Sequence, residues 1–347
     1  MSIVRILVLA VVMLGSAYWA GKSEAGDYAV KQKFVLGAEG GWDYLTFDDA
    51  AHRLFISRGT HVQVVDPDKG TVVGDIPDTP GVHGIALAND VGKGFISNGR
   101  DTSVTVIDLG TLRTVARIKI EGGENPDFIA YEPASRRVFT FNGRSHNATV
   151  IDATSLKLLA TVPLDGKPEA AVVDGKGMLF VNIEDKNEIT ELDASKAVAV
   201  RTWPLAGCME PSALAIDKDR RRLFAGCHNK VLTVVDADTG RLIATLPIGE
   251  GVDAADFDPE IKLVFSSQAD GTLTLIEEQS PETYAVLQNV ATQPGARTLA
   301  LNPRSHDVYL VTSEFEAMPA QGQERPRRTM KAGTFTLLVV GTNPSPR

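Results

Sequence analysis

Val64-Val65-Asp66, Val106-Ile107-Asp108, Val150-Ile151-Asp152, Glu191-Leu192-Asp193, Val234-Val235-Asp236 and Leu275-Ile276-Glu277 repeat one short phrase along the chain, and Val339-Val340-Gly341 is a degraded seventh copy. The acids of the first six copies are separated by 42, 44, 41, 43 and 41 residues. A period of about 40–45 residues with several short strands per unit is the spacing of β-propeller blades.

Working outward from each tripeptide, the same four parts recur. A strand A ends at Phe47, Leu87, Tyr131, Val173, Ile216, Phe257 and Leu301. A polar turn leads to strand B, as in Leu54-Phe55-Ile56-Ser57 or Phe95-Ile96-Ser97-Asn98. Strand C carries the tripeptide. A turn such as Asp66-Pro67-Asp68-Lys69-Gly70 then leads to strand D, as in Leu242-Ile243-Ala244-Thr245-Leu246. β-Branched runs bounded by Asp, Gly and Pro turns are the grammar of antiparallel hairpins. Strands A and C each occur seven times, but no strand D follows Val340. Tyr28–Leu36 reads as that missing strand. The expected fold is therefore all-β: a seven-bladed β-propeller with four antiparallel strands per blade, its last blade closed by the N-terminal strand, which also removes an exposed edge.

The Leu-Phe/Tyr-Val-Ser/Asn strand and the Val-x-Val-Ile-Asp strand followed by Val-Val-Ala-Thr-Ile-Pro resemble the YVTN repeat. Over residues 27–341 the chain resembles the YncE-like seven-bladed propellers of bacterial envelopes. The resemblance implies an extracytoplasmic, WD40-like binding or interaction propeller. It carries over no catalytic residue, because the family shares no universal catalytic motif.

The ends of the chain suggest where it works. Arg5 followed by the apolar run Ile6–Ala20, with Ser23-Glu24-Ala25 as a small-residue cleavage site, resembles a secretory signal peptide over residues 1–25; the other reading is an uncleaved anchor, for which the run is short. No other stretch is apolar enough to span a membrane. The expected location is periplasmic or secreted, and the expected state is a monomer. Residues 342–347 read as a tail. The formal net charge of −9, from 44 acids and 35 bases, argues against nucleic acid as the main partner, since phosphate backbones call for a basic face. The only two cysteines, Cys208 and Cys227, fall on one side of one blade. That placement permits a disulfide in an oxidising compartment, with two buried thiols as the other reading.

Strand A lines the central channel of a propeller. Four residues before each strand-A end stand Asp43, His83, Asp127, Glu169, Ser212, Asp253 and Arg297. Alternation gives all seven one pleat phase near the upper mouth. Between them and the strand ends lie small residues, among them Ala86, Ala130, Ala170, Ala213, Ala215 and Ala254. Asp256 stands where other blades place alanine, and reads either as a buried acid with a raised pKa or as an acid paired to a neighbouring blade. The B-to-C loops add Arg100, Arg144 and His146 on the same face, with two arginines suited to a carboxylate. The ligand-site expectation is Asp43, His83, Arg100, Asp127, Arg144, His146, Glu169, Asp253 and Arg297. The expected ligand is an envelope protein, a peptide or a small polar molecule.

The alternative is a hydrolase resembling the propeller lactonases. A divalent cation would then sit among Asp43, Asp127, Glu169 and Asp253, with Asn125 as a further oxygen ligand and His83 as general base. Otherwise no cofactor is expected, since the chain has no CxxCH, GxGxxG, Walker or GxSxG motif. The seventh B-to-C loop, residues 314–332, inserts nearly twenty residues with three arginines. It reads as either a lid or docking arm over the channel, or a mobile loop.

Overall fold

A computed structural model describes residues 27–37, 40–316 and 329–342. The expected signal segment, the middle of the inserted loop and the tail from 343 lie outside the described residues. Among the described residues there are seven four-stranded antiparallel sheets, and strands A to D follow chain order in six of them. In blade 1 these are Leu45–Asp48, Arg53–Ser57, Val62–Asp66 and Thr71–Ile76. The seventh sheet runs Leu299–Asn302, Asp307–Thr312, Thr336–Thr342 and then Tyr28–Val35. The N-terminal strand supplies strand D of the last blade, as the missing seventh copy requires. No helix among the described residues is long and apolar enough to cross a membrane.

Tyr28 holds that closure in place. It is 3% exposed and packs on Phe265 of blade 6, with ring centroids 5.4 Å apart. Its hydroxyl donates to the His306 carbonyl, and Gln288 of blade 6 bonds both its backbone N–H and its carbonyl. Seven apolar clusters fill the seven junctions between neighbouring blades. The junction that closes the ring joins Leu45, Leu54 and Ile56 of blade 1 to Tyr309, Val311 and Leu337 of blade 7.

The repeated aspartate has a local cause. Asp152 Oδ1 accepts from the backbone N–H groups of Thr154 and Ser155. Asp66 and Asp236 do the same in their own turns. Each carboxylate replaces a backbone acceptor in the C-to-D turn. Its side chain therefore recurs wherever that turn recurs.

Strand B ties one blade to the next. Ser97 Oγ accepts from Gly84 N–H and donates to the Asp127 carbonyl of blade 3. Asn182 donates to the Ala213 carbonyl of blade 5, and Ser267 to the Arg297 carbonyl of blade 7. These bonds fix the upper ends of the strand A segments, from which the channel mouth is built.

Tyr28→Ala should lower the unfolding free energy by about 3 kcal/mol, a large buried side chain being truncated. Val35→Ala, on the same strand but 69% exposed, should change it by less than about 0.5 kcal/mol. Urea unfolding of the two variants checks this, and equal losses would show that the N-terminal strand is not docked.

Candidate functional site at the channel mouth

The strand-A phase read from sequence converges at the channel. His83 Nδ1 lies 2.7 Å from Asp43 Oδ2 of blade 1 and 3.4 Å from Asp127 Oδ1 of blade 3. Arg297 Nε lies 2.5 Å from Asp253 Oδ2. Ser212 turns away and donates to the Val252 carbonyl. Lys167 Nζ lies 3.0 Å from Glu169 Oε2 and also pairs with Glu184. Lys167 and Glu184 were not among the expected site residues. Lys167 precedes strand A by one residue and stands two before Glu169, so a reading that took only the fourth residue before each strand end passed over it.

The acids dominate this ring. Asp43, Asp127, Glu169, Asp253 and Glu184 face Arg297, Lys167 and His83. Burial first pushes both Asp127 and Glu169 above the ordinary carboxylate range; at Asp127 the Asp43 and Asp253 charges add to it against the pull of His83, and at Glu169 the Asp127 charge adds to it against Lys167. Burial also raises Asp253, against the pull of Arg297. For His83, burial works downward, but the Asp43 hydrogen bond and the Asp127 and Asp43 charges outweigh it, and its pKa rises.

Tyr44 follows Asp43 and points into this ring. Burial, then Glu169, Asp127, Asp43 and Asp253, lift its phenol well above 10. Its ring meets Phe128 of blade 3 edge-on, with centroids 5.1 Å apart. The corresponding residues of the other blades are Gly84, Ala170, Ala213, Ala254 and Thr298. At Gly84 a Cβ would come within 3.0 Å of the Ile129 side chain, so this phase is small where blades crowd. Two aromatics in a row of small residues were a visible signal that the phase reading passed over. Together they divide the channel. Above them lies the acid ring. Below them lies a chamber of about 550 Å³, walled largely by alanine, valine and leucine and reaching the lower turns at Lys218, Asp219 and Pro259.

The expected rim residues are where the loops place them. Arg100, Arg144 and His146 are exposed on upper loops, and no side-chain hydrogen bond or ion pair ties them among the described residues. Gly99 explains how closely one loop approaches the ring. A Cβ there would stand 2.6 Å from His83 Nε2 and 2.9 Å from Asn125 Oδ1, so this loop covers the outer imidazole nitrogen. Arg58, another upper-loop residue, is instead 1% exposed and lies 3.4 Å over the Phe335 ring. Cys208 and Cys227 are joined as a disulfide with Cα atoms 5.5 Å apart, linking the connection before blade 5 to its strand B. Of the four carboxylates considered for a cation, Glu169 is paired with Lys167 and Asp253 with Arg297. Asp43 and Asp127 form a three-residue group with His83 whose ligand atoms lie within 4.8 Å of one another.

A family model of the cytochrome D1 heme domain matches residues 53–292. The chain belongs to that family. No curated protein matches it by sequence. Among solved structures, the RRP9 WD40 repeats align with a TM-score of 0.74 at 9% identity, over 91% of this chain and 99% of that one. A chain of the mitotic checkpoint complex aligns with a TM-score of 0.74 at 13% identity, over 98% and 99%. Kuenenia stuttgartiensis hydrazine synthase aligns with a TM-score of 0.67 at 16% identity, over 85% and 96%. At these identities the likeness is one of fold.

The family name implies a heme, whose iron takes axial His, Cys, Met or Tyr ligands. The donors here do not fit one. Among the described residues, no His, Cys or Met lines the chamber. His83 gives Nδ1 to Asp43, and Gly99 covers its Nε2. Tyr44 has the right element, but the surrounding carboxylates oppose the phenolate that ligation needs. A heme's own carboxylates would also meet an acidic ring.

The raised carboxyls set a sign for stability. A group whose folded pKa exceeds its unfolded value stabilises fully at low pH, and that contribution is lost as pH rises through the folded value. Glu169→Gln should therefore melt above wild type at pH 8, by about 2 °C or more for each kcal/mol relieved, with the gap closing towards pH 5. A gap that is constant with pH, or reversed, would contradict the raised Glu169.

Proposed function

We propose that this propeller is an extracytoplasmic, non-catalytic binding module that takes the cationic group of a polar ligand at the upper channel mouth. The observation that carries this reading is the acid excess around the Tyr44 phenol. Carboxylates held in part-buried positions without matching bases gain most when a cation arrives from outside. An ammonium or guanidinium group has the donors to satisfy Asp127, Glu169 and the phenol together. The exposed Arg100 and Arg144, with His146 beside them, suit an anionic group on the same ligand. A basic residue of a peptide or envelope protein, or a small amine bearing an acid, fits this pattern. The YncE-like character of the repeats supports the same role. The location is supported by the Ile6–Ala20 apolar segment and by the Cys208–Cys227 bridge, since disulfides persist in oxidising compartments.

A second reading, a divalent-cation-dependent hydrolase of the lactonase type, rests on the Asp43, His83 and Asp127 group. In that reading Asp43, Asp127 and His83 would supply the ligands, and an ion there would replace the hydrogen bond between His83 and Asp43.

Calorimetry with L-argininamide and its neutral counterpart L-citrullinamide separates these readings. Argininamide should bind wild type with an affinity that rises about tenfold from pH 5.5 to 8, as the raised carboxyls lose their protons. Citrullinamide should not show this. The double change Asp127→Asn and Glu169→Gln should weaken argininamide about tenfold or more. Equal binding of both amides, or of neither, overturns the proposal. A stoichiometric divalent ion in the purified protein, with lactone turnover lost in Asp127→Ala, would establish the second reading instead.

A further inference from the structure

The lower chamber is chemically unlike the mouth. Its walls are Ala170, Ala213, Ala215, Ala254, Ala255 and Leu299, its roof is Tyr44 and Phe128, and three acids line it: Asp256 beside Ala254 and Ala255, and Asp217 and Asp219 at the lower turn. The same phase holds Ala86, Ala130 and Ala215 in other blades, so packing does not demand a carboxyl there. Asp256 Oδ1 accepts only the adjacent Phe257 N–H, at 2.8 Å. Its other oxygen has no donor among the described residues.

The charged groups around it are engaged elsewhere or stand at the exit. Asp258 accepts from its own turn and lies 2.8 Å from His306 Nδ1. Asp217 accepts from Asp219 and Arg220 N–H groups. Lys218 is exposed at the lower opening and makes no ion pair among the described residues. Burial lifts the Asp256 pKa to about 6, as expected of an acid without a counterion in apolar surroundings. A chamber of about 550 Å³ lies within the range of small-molecule sites, which combine apolar walls with few polar anchors.

We infer that the lower half of the channel is a second, separate site, which takes a compact apolar amine. Its ammonium pairs with Asp256 and its hydrocarbon body fills the alanine-walled chamber. Entry is from the face opposite the acid ring, past Lys218 and Asp219. The requirement is one positive charge on an otherwise apolar body. A neutral molecule of the same shape leaves Asp256 uncompensated, and an anion meets it directly. The Tyr44–Phe128 contact separates this site from the mouth, so the two ligands differ in chemistry as well as in place.

Benzhydrylamine and benzhydrol share one hydrocarbon body and differ in charge. Calorimetry on the full chain at pH 7.5 should show the amine binding at least about tenfold more tightly than the alcohol, the size of one net charged hydrogen bond. Asp256→Asn should remove that preference and leave the alcohol's affinity unchanged. Ala255→Leu should weaken both by narrowing the chamber, with thermal melting used to confirm that it folds. Asp127→Asn, at the upper mouth, should keep the amine preference. Equal binding of amine and alcohol to wild type, or no binding of either, overturns the inference. So does a preference that survives Asp256→Asn and is lost in Asp127→Asn, because the amine would then sit at the mouth.

Discussion

The pairing of Tyr28–Val35 with Thr336–Thr342 is the constraint on which the rest depends. Seven sheets make a ring only if the last blade closes, and Leu299–Asn302, Asp307–Thr312 and Thr336–Thr342 supply three of its four strands. The N-terminal strand supplies the fourth, anchored by Tyr28 against blade 6. Closure turns a row of similar modules into a structure with one axis. Asp43, His83 and Asp127 then come together from three different blades, with His83 Nδ1 2.7 Å from the first carboxylate and 3.4 Å from the second. Without that pairing, an open arc of blades would leave these groups unsupported on separate sheets.

Once the ring exists, strand B side chains set its geometry. Ser97, Asn182 and Ser267 each bond a carbonyl at the top of the next strand A. The channel mouth is thus held by the backbone, and its acids cannot easily move apart to relieve their repulsion. They are relieved in part by Lys167 and Arg297, and in part by retaining protons. The Tyr44–Phe128 pair keeps that polar chemistry apart from the apolar chamber beneath. One channel therefore has two environments: an acidic mouth, and a largely apolar chamber in which Asp256 is the acid without a counterion.

Much of this was legible before any coordinates. The tripeptide spacing yields seven blades because an Asx turn recreates the same aspartate in successive units. Counting four back from each strand-A end picks out Asp43, His83, Asp127, Glu169, Asp253 and Arg297, because every strand A starts from an equivalent connection, even though the pairing with strand B shifts register at His83, Asp127, Glu169 and Asp253. What escaped the reading follows from distance in three dimensions. Lys167 joins the site from the connection before strand A, where it pairs with Glu184 of the loop after strand B. Arg58 falls in the same kind of upper loop as Arg100 but is buried against Phe335, just before the Thr336–Thr342 strand and more than 270 residues away. Tyr44 and Phe128 break a row of small residues, yet only the folded ring shows that they meet. Of the two sequence readings of Asp256, the structure shows the unpaired acid with a raised pKa. Family membership raised a heme as a further possibility, and the donor atoms around the channel do not support it.

The electrostatic account of the mouth stands or falls on His83, which sits between two of its acids and reports their charge. An NMR pH titration of the His83 ring in the full chain measures this directly. The midpoint should lie above the ordinary 6.5, and it should fall in Asp43→Asn, where burial is left with less opposition. A midpoint at or below 6.5 that Asp43→Asn does not move would contradict an acid-dominated mouth.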